Sequence, residues 1–97
     1  MIRSKKIKQS ARGEECQVRL PGICTFDNET TVLAHVGTSG MGTKASDIHG
    51  AYCCSACHDE IDRRTRIMDA ETAELFAWHG VARTQNILVN KGLIKAA

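Results

Sequence analysis

Cys54-Ser55-Ala56-Cys57-His58 concentrates more chemistry than any other stretch of this chain: two thiols at C-x-x-C spacing, then an imidazole. A tight turn at that spacing aims both sulfurs at one point, so it recurs in structural zinc sites. A second pair, Cys16 and Cys24, lies upstream and closes a loop around Pro21-Gly22. Pro presets a turn there and Gly accepts the positive φ, so the loop can return both thiols to one ion. Cys16, Cys24, Cys54 and Cys57 together make a tetrahedral S4 set for structural Zn2+. Cys53 is the spare thiol, and strand alternation predicts that it points to the opposite face as a small buried residue. His35 and His58 are then left beside the metal and free for chemistry, although His58 could also replace Cys54 or Cys16 as a zinc ligand.

Such a clip has a physical job here. The chain has 97 residues, with only two Phe, one Trp and one Tyr. A core of that size is marginal without a staple. The five cysteines and the lack of any apolar stretch of signal-peptide or membrane length point to the cytosol, where thiols stay reduced. Metal binding is therefore expected over disulfides. Net charge is only +2, but Arg3, Lys5, Lys6, Lys8 and Arg12 precede the first acid, and Arg83, Lys91 and Lys95 follow the last. Both ends could face a polyanion, or be a solvated tail.

Residues 1–13 read as a flexible basic arm and 14–97 as a single domain. Residues 30–36 form the best strand, with Thr31, Leu33 and His35 on one face. Residues 37–47 form a glycine-bearing loop, and 48–53 a return strand. A helix is expected from Ser55 to about Arg66, with acid-first i,i+4 pairs Asp59/Arg63, Glu60/Arg64 and Asp62/Arg66. Asp69 should cap a second, long helix over about 70–91. Ala73, Phe76, Ala77, Gly80, Val81, Thr84 and Leu88 make its packed stripe, so Gly80 permits a close approach rather than a break. Gly92 should end it.

The stretch Gly37-Thr38-Ser39-Gly40-Met41-Gly42-Thr43-Lys44 imitates a phosphate loop, but Thr43 separates the last glycine from Lys44 and Ala45 follows. That pattern requires Lys directly after Gly, then Ser or Thr, at the start of a helix. Nucleoside triphosphate hydrolysis is excluded, and no nucleotide cofactor is expected.

Strand, loop, strand, helix, with a histidine near each end, resembles the ββα-metal finger of the HNH, or His-Me finger, nucleases. The match rests on Leu33-Ala34-His35-Val36 and Cys54-Ser55-Ala56-Cys57-His58. More closely, the chain resembles the YbcO-like nuclease family of lambdoid phages and prophages. The segments that carry this are Ala11-Arg12-Gly13, Glu15-Cys16-Gln17-Val18-Arg19, Leu33-Ala34-His35, Gly42-Thr43-Lys44, the block Cys54 to Thr65, and Ala82-Arg83-Thr84-Gln85. The resemblance implies a small α+β, zinc-stabilised ββα-metal core with an added C-terminal helix. It implies a phage- or prophage-encoded endonuclease of the bacterial cytosol that acts on DNA, with His35 as general base and a divalent ion such as Mg2+ or Mn2+ at His58.

The chemistry agrees with those roles. Phosphodiester hydrolysis needs a base to take a proton from water, and an imidazole titrates near neutrality. A divalent ion on His58 would neutralise the developing charge. Arg63 and Arg64 could grip phosphates bidentately, and Lys44 as a point charge. Two positions depart from the commonest HNH pattern. Ala34 stands where an acid or histidine often binds the metal, and Asp47 stands at the central Asn position that orients the base. Asp62 could be the second metal ligand, or pair with Arg66; Asp47 could orient His35, or cap a turn. A buried structural His35 and a non-catalytic zinc-bearing nucleic-acid-binding module are the competing readings. His49 and His79 are expected to be surface or packing residues.

Overall fold

The computed structural model describes residues 4–36 and 47–94. The glycine-bearing loop, and Lys44 within it, lie outside the described residues. The order is helix α1 (Lys5–Ser10), strand β1 (Val32–His35), strand β2 (Gly50–Cys53), helix α2 (Ser55–Ile61) and helix α3 (Ala70–Asn90), with 3-10 turns at Asn28–Thr30 and Asp47–His49. The chain is thus α+β, with a two-stranded sheet and a long C-terminal helix.

The segment expected as a flexible basic arm contains α1. Ser4 caps it, its Oγ accepting from the Ile7 N–H at 3.3 Å. Ile7 and Ala11, four residues apart, are buried against Tyr52 and Leu88. That apolar pair is what turns a basic run into a packed helix.

β1 and β2 pair antiparallel, with Val32 opposite Cys53, Leu33 opposite Tyr52, Ala34 opposite Ala51 and His35 opposite Gly50. Residues directly opposite share a face. Ala34, Ala51 and Cys53 therefore face one core, with Cys16, Val18, Leu20, Cys54, Cys57, Ala77 and Val81. Leu33 and Tyr52 face a second, against α1 and Leu88. β2 has an outer edge, and it is covered: the Tyr52 carbonyl accepts the Gln17 N–H at 2.8 Å, and the Tyr52 N–H donates to Thr84 Oγ1 at 3.0 Å. An edge strand left bare would invite pairing with another chain.

α3 spans both cores, burying Ala73, Ala77, Gly80, Val81, Thr84 and Leu88. Asp69 caps it, accepting the Thr72 N–H at 2.9 Å. Its end is a Schellman turn: the Leu93 N–H reaches the Leu88 carbonyl, the Gly92 N–H reaches Val89, and Gly92 takes φ 75°.

α2 stops at Ile61, five residues short of the expected end. The same Schellman pattern closes it, with Arg64 N–H to Asp59 O, Arg63 N–H to Glu60 O, and Arg63 at φ 62°. No glycine marks this end, so spacing alone ran the helix on. Glu60, fully buried, imposes it. Its carboxylate accepts from Thr65 Oγ1 at 2.6 Å, the Ile67 N–H at 3.1 Å and the Met68 N–H at 3.0 Å. These bonds hold its carboxyl below the usual range, the Thr65 hydroxyl most of all. None of the expected i,i+4 acid–base pairs forms. Arg63 pairs with Glu60, and Arg64 with Asp59 and Asp62.

Candidate metal centre and histidine site

The Cys16–Cys24 loop closes as the Pro21-Gly22 turn requires. Gly22 takes φ 73°, and the Ile23 and Cys24 N–H groups both donate to the Leu20 carbonyl. After each thiol the backbone swings into a left-handed conformation, at Arg19 (φ 53°) and Phe26 (φ 55°). That swing aims the Arg19 N–H at Cys16 Sγ (3.5 Å) and the Phe26 N–H at Cys24 Sγ (3.4 Å). Amide donors of this kind stabilise thiolate charge.

Cys54 follows β2 as the N-cap residue of α2 and Cys57 lies in the first turn of that helix, so the sulfurs of Cys16, Cys24, Cys54 and Cys57 all fall within 4.8 Å of one another. A zinc tetrahedron with bonds of about 2.3 Å has edges of about 3.8 Å. Cys54 Sγ and Cys24 Sγ are 3.8 Å apart. The donor set and its spacing therefore fit a structural zinc ion. Hydrogen bonds from Cys53 and Cys57 pull the Cys16 thiol well below its usual range, whereas burial raises Cys24 to about 11.

Cys53 does not point away. β2 places it on the same face as Ala51, fully buried in the thiol core. The neighbouring Cys16 and Cys57 thiols and its burial push its pKa far up. The four-sulfur cluster leaves Cys53 out, so it remains the spare thiol. The strand alternation was sound; what it lacked was which face the Cys16 loop would occupy.

His35 stands at the end of β1, and its Nε2 is 2.6 Å from Asp47 Oδ1. Asp47 is fully buried, and its other oxygen accepts the Ser4 N–H at 2.6 Å. Burial alone would raise this carboxyl, but the bonds from His35 and Ser4, with the charge of Lys8, hold it below the usual range. An ionised Asp47 accepts only, so Nε2 carries the proton and Nδ1 of a neutral ring keeps its lone pair. The turn bearing Asp47 is pinned by Gln85 Nε2, which donates to the Ile48 carbonyl at 2.6 Å.

His35 lines a cleft of about 420 Å3 whose other wall is α1, with Lys8, Gln9 and Arg12. The signal for this wall was present in the sequence as Ser4, Ile7 and Ala11, at capping and helical spacing.

His58 and Asp62 form the second pair, with Nε2 and Oδ2 3.1 Å apart. Two ligands at right angles around an ion at about 2.1 Å lie about 3.0 Å apart, so the pair could hold one divalent ion. Arg64, not Arg66, is the cation near Asp62. Among the described residues no hydrogen bond joins His35 to His58. By strand alternation His35 shares the face of Leu33 and Tyr52, while α2 packs with the core of Ala34 and Ala51. Ala34 itself is buried there and offers no ligand atom. Arg63 Nη1 is taken up by Glu60 and the Met68 carbonyl. His49 and His79 each meet an aromatic ring edge-on, Trp78 and Phe76 respectively.

Residues 5–93 match the family model described as "Putative nuclease YbcO". The chain is similar to the "Putative nuclease YbcO" of Escherichia coli strain K12, at 53% identity over 93 residues, covering 93% of this chain and 97% of that one. The "Putative nuclease ybcO" of Enterobacteria phage 82 matches equally, with 53% identity and the same coverage. A solved structure titled "Structure of a putative bacteriophage protein from Escherichia coli str. K-12 substr. MG1655" superposes with a TM-score of 0.79 at 48% identity, covering 90% of this chain and all of that one.

Proposed function

The chain belongs to the YbcO nuclease family, and from that premise we propose that it is a metal-dependent DNA endonuclease of the HNH, or His-Me finger, type. The observation that supports this best is the His35–Asp47 pair at 2.6 Å, with His35 on the wall of a cleft bearing Lys8 and Arg12. Neither a structural zinc module nor a passive binding surface needs an imidazole oriented by a buried carboxylate.

In this reading Asp47 fixes the tautomer and orientation of His35. Nδ1 takes the proton from the attacking water, and Asp47 steadies the imidazolium that results. The four thiols hold a structural Zn2+ that joins the Cys16–Cys24 loop to the start of α2. His58 and Asp62 would hold the catalytic ion, of the Mg2+ or Mn2+ kind. When bound, that ion would supply positive charge to the phosphate and the leaving oxygen. The hairpin followed by α2 is then the ββα core of the superfamily, and DNA is the partner. With relatives in phage 82 and in Escherichia coli, the enzyme is a phage-type one acting in the host cytosol.

The test is plasmid cleavage by zinc-loaded protein with Mg2+ or Mn2+, beside His35→Ala, Asp47→Asn and His58→Ala. His35→Ala should abolish cleavage. Asp47→Asn should slow it by two or more orders of magnitude, roughly as loss of an orienting carboxylate does elsewhere. Cleavage that survives in His35→Ala removes the base assignment, and wild-type metal dependence in His58→Ala removes the ion site. No cleavage with any metal, with DNA binding retained, makes the chain a binding module.

A further inference from the structure

We infer that the cleft between α1 and β1 seats the phosphodiester backbone, with Lys8 and Arg12 as its phosphate grips; this rests on the nuclease reading and names the substrate contacts of that site. The arginines that the sequence offered for this role are occupied. Arg63 is bound to Glu60 and Met68, and Arg64 lies between Asp59 and Asp62. Each meets carboxylates of its own chain, so a phosphate would have to displace them.

Lys8 and Arg12 are different. Among the described residues neither makes an ion pair, and both are exposed on the wall opposite His35. Lys8 is held in place by α1. Arg12 follows it in a turn fixed by its own N–H on the Gln9 carbonyl at 3.2 Å. No acid lines the cleft among the described residues. Asp47, whose carboxyl the charge of Lys8 helps to lower, is buried and already bound to His35 and Ser4.

Thr31 lines the same cleft and carries the one buried side-chain oxygen without a hydrogen-bond partner among the described residues. Buried hydroxyls are normally satisfied, so an orphan at a cleft wall points to a ligand that completes it. Cations, an unsatisfied hydroxyl and a histidine base around one opening fit an anionic backbone better than they fit a neutral or cationic ligand.

The experiment is fluorescence anisotropy with a short labelled DNA duplex, without added divalent ion, from about 50 to about 200 mM salt. Lys8→Gln/Arg12→Gln is compared with Arg66→Gln/Lys91→Gln, which removes the same charge from side chains that do not line the cleft. All four side chains are exposed, and the Lys91–Glu14 pair that the control removes is a surface one of little worth, so both variants should melt close to wild type. The Lys8/Arg12 variant should bind on the order of tenfold more weakly, and its slope of log K against log salt should shrink by about 1.8. The control should keep the wild-type slope. Equal losses in both variants would reduce the effect to net charge and overturn the inference, as would a wild-type slope in the Lys8/Arg12 variant. If the wild-type protein fails to cleave plasmid with every metal tried while the Lys8/Arg12 variant shows the expected binding loss, the seat stands and the nuclease reading falls. If cleavage proceeds in the Lys8/Arg12 variant with unchanged KM, the seat falls and the nuclease reading stands.

Discussion

Replacing Gly80 by alanine should destabilise this protein, although the same change within an ordinary helix stabilises it. Gly80 is buried near the middle of α3. A methyl there gains about 1 kcal/mol of helix propensity. An ideal Cβ, however, would lie 2.7 Å from Val18 Cγ2, 3.1 Å from Val18 Cα and 3.2 Å from Val18 N. The side-chain clash could be relieved only by turning Val18, which is fully buried. The other two contacts are backbone. That backbone is tied on both sides, by the Gln17 N–H to Tyr52 and by Arg83 Nη1 to the Gln17 carbonyl at 2.7 Å. It also continues into Cys16, so moving it strains the thiol site. Overpacking of this kind costs about 1–3 kcal/mol. The net effect is a loss of about 1 kcal/mol, or a fall in Tm of about 4–8 °C for a chain of this length. The assay is urea unfolding at saturating zinc, with Ala82→Gly, exposed on the same helix, as a propensity control expected to lose about 1 kcal/mol. A Gly80→Ala midpoint above wild type by the full propensity gain would refute the close approach of α3 to Val18.

Two further outcomes follow from the same contacts. Exhaustive chelation should unfold the domain, because zinc binding in small modules is worth on the order of 10 kcal/mol of folding free energy; a melt unchanged after elemental analysis shows no metal would rule out the four-thiol site. The second concerns acid. Glu60 has its folded pKa depressed below its ordinary 4.5, so the stability it contributes is present above that value and is lost as pH falls through the folded one. The urea midpoint of wild type should therefore exceed that of Glu60→Gln at neutral pH, with the gap narrowing below about pH 4.5. Comparing the two proteins cancels any shared loss of zinc, and a gap that does not change with pH would remove the ionised role of Glu60.

What spacing could encode, the sequence determined. C-x-x-C and the Pro21-Gly22 turn specified the thiol set. Asp69, the i, i+3, i+4 stripe and Gly92 specified α3 almost to the residue, because capping and periodicity are local. The β-branched run to His35 specified β1. Other features depended on contacts between distant segments. α2 ended early because a buried carboxylate gathered the chain after it, with Arg63 rather than glycine in the left-handed position. Cys53 joined the thiol core because the Cys16 loop folded onto its side of the hairpin. The basic N-terminus became a wall of the histidine cleft because Ile7 and Ala11 found Tyr52 and Leu88, and because Ser4 found Asp47. His35 could be read from the sequence as a candidate base. Asp47 could be read only as either orienting His35 or capping a turn. Packing set its carboxylate on His35 and brought Lys8 and Arg12 to the same cleft, since a hydrogen bond spanning 12 residues and a helix docked through its apolar face leave no local periodicity to read.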